Sequence, residues 1–218
     1  MDGAVGKGLR IYLYYSNDLP AWPTARWLER LAREDRRSLG YRFGQPFDPR
    51  RLTMIHDVSR IVETYEDWSV HCGGSLNGAF ADLDGWSGLL IQGRDGEYLM
   101  LVNPAHSHTR RTLTIAHEFG HLALGHQPIT IENDGGMRET RYSDDQEREA
   151  TEYGAALLLP YAPLLQMLRQ GAPMRGIAHH YGVSIAAVEM RLKFTGLWGF
   201  TSTLIFSTEP VTMENRHA

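Results

Sequence analysis

The chain has few of the features that mark secreted or membrane-embedded proteins. Its 218 residues include a single cysteine, Cys72, so no disulfide can form within the chain. It contains no run of about 18 apolar residues, which argues against a membrane-spanning helix. The first residues also lack the pattern of a signal peptide. We therefore expect a cytoplasmic protein without a membrane association, in which Cys72 is a buried thiol rather than a metal ligand.

A strong net charge is also lacking, because 22 Lys and Arg residues stand against 26 Asp and Glu residues, a formal net charge of −4. Such a chain supplies little of the phosphate attraction that dominates DNA affinity, so its composition argues against direct DNA binding. Hydrophobic residues make up 42% of the chain and charged residues 22%, as is usual in globular proteins. The length suits one substantial core, or a core with a small appendage.

What the sequence does contain is the pattern His117-Glu118-Phe119-Gly120-His121. Two histidines four residues apart on a helix project from one face, a single turn apart. This spacing can bring two imidazole nitrogens to about 2.0–2.1 Å from one zinc ion. Glu118 would then lie close enough to take a proton from a water bound to that metal. The pattern predicts two metal ligands and a general base.

The residues around this pattern favour a buried helix over an exposed one. They are almost all apolar: Leu113, Ile115, Ala116, Phe119, Leu122, Ala123 and Leu124. A core helix whose histidines bond to backbone carbonyls is the alternative interpretation. It is the less favoured one, because Glu118 would also have to be neutralised in the same apolar surroundings.

A zinc site normally has a third protein ligand, and the best candidates lie in a second helical segment at residues 147–160. Ala150 and Gly154 recur there at helical spacing, which predicts a narrow face that lets this helix approach the first one closely. We expect Glu149 to lie beside that face and to be the third ligand. Glu147 and Glu152 are expected to be solvated, and Pro160 should end the helix.

Together the two segments resemble the ImmA/IrrE-type zinc metallopeptidases, gluzincin-like proteins of bacteria and phages. The resemblance rests on Thr114–His121, on Glu149-Ala150 and on the run Tyr153-Gly-Ala-Ala-Leu-Leu-Leu-Pro160. Leu101-Val-Asn103 and Arg110 are similar to the family's edge strand and to the basic residue before its metal-binding helix. The match covers about residues 86–200.

The resemblance implies a zinc-dependent peptidase with one ion per chain, held by His117, His121 and the glutamate before the alanine, which is Glu149. It also implies a protein substrate, a helix-turn-helix repressor that is cleaved during a stress or mobile-element response. The chain departs from the family pattern at Thr151, Tyr153, Gly154 and Leu159. None of these four is a ligand position.

The predicted fold is α+β, a zincin-like domain whose small, mostly antiparallel sheet packs on the His-Glu helix. Strands are predicted at Gly88–Gln92 and Tyr98–Asn103, and a helix at Pro20–Leu39 whose arginines form a solvated face. Tyr98–Asn103 is predicted to be an edge strand that holds an extended peptide. Residues 127–145 are predicted to form a polar loop.

A C-terminal helical segment is predicted to follow the metallopeptidase domain, with the boundary between residues 160 and 161. Residues 174–193 have the helix, glycine turn and helix of a helix-turn-helix, with Ser184 capping the second helix. Residues 161–200 carry a charge of only +3, from Arg169, Arg175, Arg191 and Lys193 against Glu189. We therefore expect this segment to pack on the domain or to bind a partner, rather than to bind DNA.

The remaining functional roles have only weak signals. His126, His180 and Tyr181 are candidates for stabilising an oxyanion, and Asn103 and Tyr153 for contacting the substrate. The leading hypothesis is a zinc endopeptidase. A metal-binding regulatory module that binds a repressor or DNA without proteolysis is the alternative, and a zinc hydrolase of small amides is a third possibility. The sequence does not indicate an oligomeric state.

Overall fold

The structure is a computed structural model that describes residues 25–67, 86–93, 95–132 and 138–201, so Cys72 lies outside the described residues. The helices are α1 (Ala25–Ser38), α2 (His108–Ala123), α3 (Asp144–Leu158), α4 (Tyr161–Arg169), α5 (Met174–Tyr181) and α6 (Ile185–Phe194). Short 3₁₀ helices lie at Pro49–Met54 and Leu197–Thr201. The strands are β1 (Val58–Val62), β2 (Gly88–Gln92), β3 (Tyr98–Val102), β4 (Ile129–Glu132) and β5 (Arg138–Arg141). The fold is therefore α+β, as the sequence predicts.

A three-stranded sheet has the order β1-β3-β2, with β1 parallel and β2 antiparallel to β3. The sheet is thus mixed, and the prediction that it is mostly antiparallel was wrong. The prediction of Tyr98–Asn103 as an edge strand was also wrong, because β3 is the central strand. Met100, Leu101 and Val102 are consecutive and all buried, which is typical of a strand covered on both faces. Among the described residues, β2 is the edge of the sheet on the side of α2.

The predicted loop at residues 127–145 contains the paired strands β4 and β5, which run antiparallel from Ile129↔Arg141 to Glu132↔Arg138. The loop prediction was therefore wrong over these two strands. An Asp134-Gly135 pair between two short runs is a common hairpin signal, and it was present in the sequence.

The helices α2 and α3 pack against each other through glycines, as the small residues of α3 predict. A Cβ atom on Gly120 would lie 2.8 Å from the Cα of Ala150, and one on Gly154 would lie 2.9 Å from the carbonyl carbon of Ala116. These backbones approach more closely than any larger side chain would allow. Ser143 caps α3 by accepting a hydrogen bond from the N–H of Gln146, whose side chain accepts one from the N–H of Ser143.

The helix α1 packs on α3 through Leu28 and Ala32, which are 2% and 1% exposed. The arginines of α1 were predicted to form a solvated face. This prediction was wrong for Arg36, which is buried. The guanidinium of Arg36 donates hydrogen bonds to the carbonyl oxygens of Leu157 and Gln45. Trp27 on the same helix is 41% exposed. The helix is thus held to α3 by both apolar and polar contacts.

The C-terminal helices pack into the same apolar core as Leu28 of α1, through Ile177 on α5 and through Val188 and Leu192 on α6. Between α5 and α6 the chain turns through Gly182, whose φ of +66° favours glycine, and Ser184 accepts a hydrogen bond from the N–H of Ala187. Arg191, one of the cations counted in the charge of residues 161–200, is only 2% exposed. It donates hydrogen bonds to the carbonyl of Leu159 and to Glu29. That the pair of helices acts as a helix-turn-helix module stays a prediction. None of the helices in the described ranges is long and apolar enough to cross a bilayer.

Candidate metal centre

The centre of the site is the buried second half of α2. Ser107 caps the helix by accepting a hydrogen bond from the N–H of Arg110, and every residue from Thr114 to His121 is buried. Of these, His117 is 6% and His121 is 1% exposed. Their Nε2 atoms lie 3.1 Å apart, so the two rings meet one turn apart on one face, as the spacing predicts.

A carboxylate from α3 completes the cluster. Oε2 of Glu147 lies 3.2 Å from Nε2 of His117 and 3.9 Å from Nε2 of His121. The ligand atoms of these three residues all lie within 4.8 Å of one another. We call His117, His121 and Glu147 the candidate metal site.

The structure does not bring Glu149, the predicted third ligand, into this site. Glu147, Ala150 and Gly154 are three and four residues apart, so Glu147 shares the face that packs on α2, and Glu149 lies on another side of the helix. The expectation that Glu147 and Glu152 are solvated was wrong. The side chain of Glu147 is 26% exposed and Glu152 is 5% exposed. The face of Ala150 and Gly154, followed one turn towards the start of α3, includes Glu147. This pattern would have identified Glu147 as the third ligand candidate.

Hydrogen bonds fix the tautomer of His117. The hydroxyl of Thr151 donates to the carbonyl of Glu147 at 2.8 Å, so its oxygen can only accept from Nδ1 of His117, 3.1 Å away. Nδ1 of His117 therefore carries the proton, and Nε2 presents a lone pair towards the carboxylate of Glu147. Two acceptors at this distance repel each other unless a cation lies between them. The donor set therefore fits a metal ion.

His121 is held in its uncharged form. Burial, together with the neighbouring His117 and His126, lowers its pKa to about 2, and a metal ligand must be an uncharged imidazole. One face of its ring is covered by Tyr142, which stacks on it with ring centroids 3.6 Å apart and an interplanar angle of 17°. Nδ1 of His121 lies 3.0 Å from Nδ1 of His126.

Glu118 is a buried carboxyl group with an unused oxygen. It is 3% exposed, and its Oε1 has no hydrogen-bond partner in the described part of the chain. Burial raises its pKa to about 7, against the effect of His117. Gly88 on β2 makes room for it, because a Cβ atom there would lie 2.7 Å from Oε1 of Glu118. The position of Glu118 beside the candidate metal site follows the sequence prediction.

Tyr142 was missed by the sequence analysis. It follows β5 directly and precedes the capping residue of α3, in a stretch predicted to be a loop. Burial and the charge of Glu118 raise its pKa to about 12, so its phenol is protonated at neutral pH. Nothing in the local sequence marks this tyrosine, because its contact with His121 depends on the path of the β4–β5 hairpin.

The predicted substrate contacts are buried. Asn103 is 0% exposed; its side chain donates to the carbonyl of Trp86 and accepts from the N–H of Ala105. Tyr153 is also 0% exposed, and its hydroxyl donates a hydrogen bond to Asp35. Burial and this hydrogen bond raise the pKa of Tyr153. Neither side chain is open to a substrate in this structure.

The three oxyanion candidates lie in different places. His126 contacts His121 and, through Nε2, Glu149 at 3.2 Å. His180 is exposed and bonds to the carbonyl of Gly44, and Tyr181 is 3% exposed within the main core. Of the three, only His126 has a described contact with the candidate metal site.

A buried pair of histidines one helical turn apart, a carboxylate from a second helix and an adjoining buried glutamate define the class of the site, that of a metallopeptidase-type metal centre. The comparison with known families agrees. Residues 79–193 match the model of the IrrE N-terminal-like domain, Peptidase M78, and the chain belongs to this family. No curated protein and no solved structure matches the chain.

Proposed function

We propose that this protein is a zinc-dependent endopeptidase that cleaves a protein substrate, a repressor-type regulatory protein. The observation that carries the proposal is the convergence of His117, His121 and Glu147 beside Glu118, whose Oε1 has no hydrogen-bond partner among the described residues. Buried acceptors that face one another are stabilised by a cation between them, and the unpaired Oε1 of Glu118 is a buried acceptor beside them that can receive a proton. Membership of the Peptidase M78 family supports the same activity.

The donor set favours zinc. Two imidazole nitrogens and one carboxylate oxygen form the usual set of three protein ligands in catalytic zinc sites. His117, His121 and Glu147 would hold the ion. When bound, zinc activates a water molecule and polarises the scissile carbonyl group.

Glu118 is proposed to move the proton. Its carboxylate accepts the proton of the attacking water and passes it to the nitrogen of the leaving amine. A pKa raised to about 7 suits both roles at neutral pH, since the group is neither a very weak base nor a very weak acid.

Tyr142 is proposed to stabilise the oxyanion in place of the three candidates named from the sequence. Its phenol is protonated at neutral pH, and its ring stacks on that of His121 with centroids 3.6 Å apart, which places Tyr142 beside the candidate metal site. A phenol is a good donor to a developing negative charge, as an oxyanion hole requires.

Among the described residues β2 is an edge strand, and an edge strand suits an extended peptide, which supports a protein substrate over a small amide. Gly88 contacts Glu118, while Leu89 and Ile91 are 40% and 42% exposed along the same strand. An added strand would take its main-chain hydrogen bonds from β2 and bring its peptide groups past Glu118. The helix-turn-helix repressor as the particular substrate rests on the family resemblance alone.

The test is Glu118→Gln, with Glu34→Gln on the exposed part of α1 as the matched control. The zinc-loaded proteins are incubated with host-cell lysate, and new N-terminal amines are identified by mass spectrometry. We expect new termini with the wild type and with the control, none with Glu118→Gln, and equal zinc content in all three.

Equal biological output from wild type and Glu118→Gln, without cleavage, would instead support the alternative of a non-proteolytic regulatory module. Termini that are the same with all three proteins would show that the cleavage comes from a contaminating protease.

A further inference from the structure

We propose that His126 and Glu149 are positioning residues: together they form a hydrogen-bonded chain that holds His121 in the tautomer and orientation of a metal ligand. The proposal rests on the metal site described above. It assigns a role to a histidine and a glutamate that the proposed mechanism does not use.

The backbone brings His126 back beside His121. After α2 ends, Gly125 turns the chain with a φ of +63°, and the N–H of His126 donates to the carbonyl of His121 at 2.9 Å. The side chain of His126 is only 5% exposed. Its ring centroid lies 5.1 Å from that of His121, with the rings near perpendicular at 69°. One ring nitrogen therefore faces His121 while the other faces α3.

If His121 and His126 are both uncharged, the hydrogen bonds between Glu149, His126 and His121 allow only one placement of the ring protons. The carboxylate of Glu149 accepts only, so Nε2 of His126, 3.2 Å away, carries the proton. Nδ1 of the uncharged His126 is then an acceptor, and the 3.0 Å contact requires that Nδ1 of His121 donates to it. Nε2 of His121 is left with a lone pair, and it faces Nε2 of His117 and the carboxylate of Glu147.

The other ligand histidine has an equivalent support on the same helix. Nδ1 of His117 donates to Thr151, so both rings are protonated at Nδ1 and both present Nε2 to one point. The helix α3 thus supplies one carboxylate to the candidate metal site and, through Thr151 and Glu149, a support behind each imidazole. Partners of this kind typically change metal affinity about 10–100-fold when they are removed.

The first measurement is the zinc dissociation constant, determined by chelator competition. His126→Leu removes the acceptor, and we expect it to weaken zinc binding about 10–100-fold. His126→Asn places an amide oxygen near the position of Nδ1, and we expect it to restore most of the affinity. Glu149→Gln keeps an acceptor for His126 and should stay within about threefold of the wild type. His179→Leu, at an exposed position of α5, is the control.

The second measurement needs no variant. Long-range ¹H–¹⁵N spectra of the zinc-loaded wild type, labelled at histidine, distinguish the two tautomers. We expect protonated Nδ1 for His121 and protonated Nε2 for His126. The opposite tautomer at either ring would overturn the proposal even if a variant failed to fold.

The outcomes separate this proposal from the proposed function. If the wild type binds zinc and His126→Leu binds it equally well, the positioning role is excluded and the peptidase proposal stands. If Glu149→Gln loses zinc as completely as Glu147→Gln, then Glu149 is itself a metal ligand. That result would overturn the proposal that Glu149 positions His121 through His126. A folded wild type that binds no zinc would overturn both.

Discussion

Two polar clusters are buried on different sides of α3, and they are built in opposite ways. One is the candidate metal site, in which the acceptor atoms of His117, His121 and Glu147 face one another. The other is the arginine clamp, formed by Arg36, Arg191 and Glu29, in which donors face acceptors. Arg36 donates to the carbonyl of Leu157, and Arg191 donates to the carbonyl of Leu159 and to Glu29.

The difference separates a structural cluster from a functional one. In the arginine clamp, guanidinium donors meet carbonyl and carboxylate acceptors of the protein itself, and these bonds hold α1 and α6 to the end of α3. In the candidate metal site the pairing is incomplete without a cation, and Glu118 nearby has an oxygen without a partner. Burial alone does not indicate function; buried acceptors without donors do.

The largest expected effect is on the arginine clamp. Arg191→Met should lower the free energy of unfolding by about 3 kcal/mol, because it leaves the partly buried carboxylate of Glu29 without its cationic partner and the Leu159 carbonyl without its donor. Urea unfolding followed by circular dichroism measures it. The zinc affinity of the folded variant should be unchanged. Arg175→Met, at an exposed position of α5, is the control and should change stability by less than about 0.5 kcal/mol.

The candidate metal site should instead respond to metal removal. Zinc at 100 times its dissociation constant should raise the free energy of unfolding by about 2.7 kcal/mol, and a chelator should remove this gain. In Glu147→Ala, which lacks a ligand, the chelator should have no effect. Differential scanning calorimetry with and without zinc tests both statements. A chelator effect retained in Glu147→Ala would remove this glutamate from the ligand set.

Tyr142→Phe tests the donor proposed for the oxyanion. We expect kcat to fall about 100-fold, the usual loss for one donor of an oxyanion hole, with zinc content unchanged, since the ring that stacks on His121 is retained. Cleavage kinetics on an identified substrate, with zinc measured in the same samples, provide the test. An unaffected kcat would show that Tyr142 does not stabilise the oxyanion.

Gly154→Ala tests the close approach of α3 to α2, on which the candidate metal site depends. The new Cβ atom would lie 2.9–3.0 Å from backbone atoms of Ala116 and His117, and backbone cannot give way as a side-chain end can. We expect a loss of about 1–3 kcal/mol in stability and weaker zinc binding. Gly176→Ala, at an exposed position of α5, is the matched control and should gain up to about 1 kcal/mol from helix propensity.

The smallest effect concerns His56, which belongs to neither cluster. Burial lowers its pKa below the ordinary value of 6.5, against the opposing charges of Asp35 and Asp57. Below pH 6.5 the unfolded chain takes up a proton that the folded chain resists, so stability falls as the pH decreases. After screening by solvent the loss should be under about 1 kcal/mol between pH 7.5 and 5.5. A pH series on wild type and His56→Gln, compared by difference, measures it; equal curves would contradict it.

Much of the site was readable from local patterns, and the errors have a common origin. The spacing of His117 and His121, the helical position of Glu118 and the close approach at Gly154 all depend on the period of one helix, and all appear in the structure. The choice among the glutamates required the direction in which α3 faces α2. That direction was partly readable, because the face of Ala150 and Gly154 includes Glu147, but it was assigned to the wrong side.

The sequence by itself determined which helices exist and which side chains stand together on each, because helical periodicity is a property of neighbouring residues. Only the tertiary structure decided the rest: that β3 is central and β2 an edge, that Tyr142 covers His121, that His126 turns back towards it, and that Arg36 and Arg191 are buried. Each of these depends on how separate elements are placed against one another. Such placement follows from packing the whole core, which no single segment encodes.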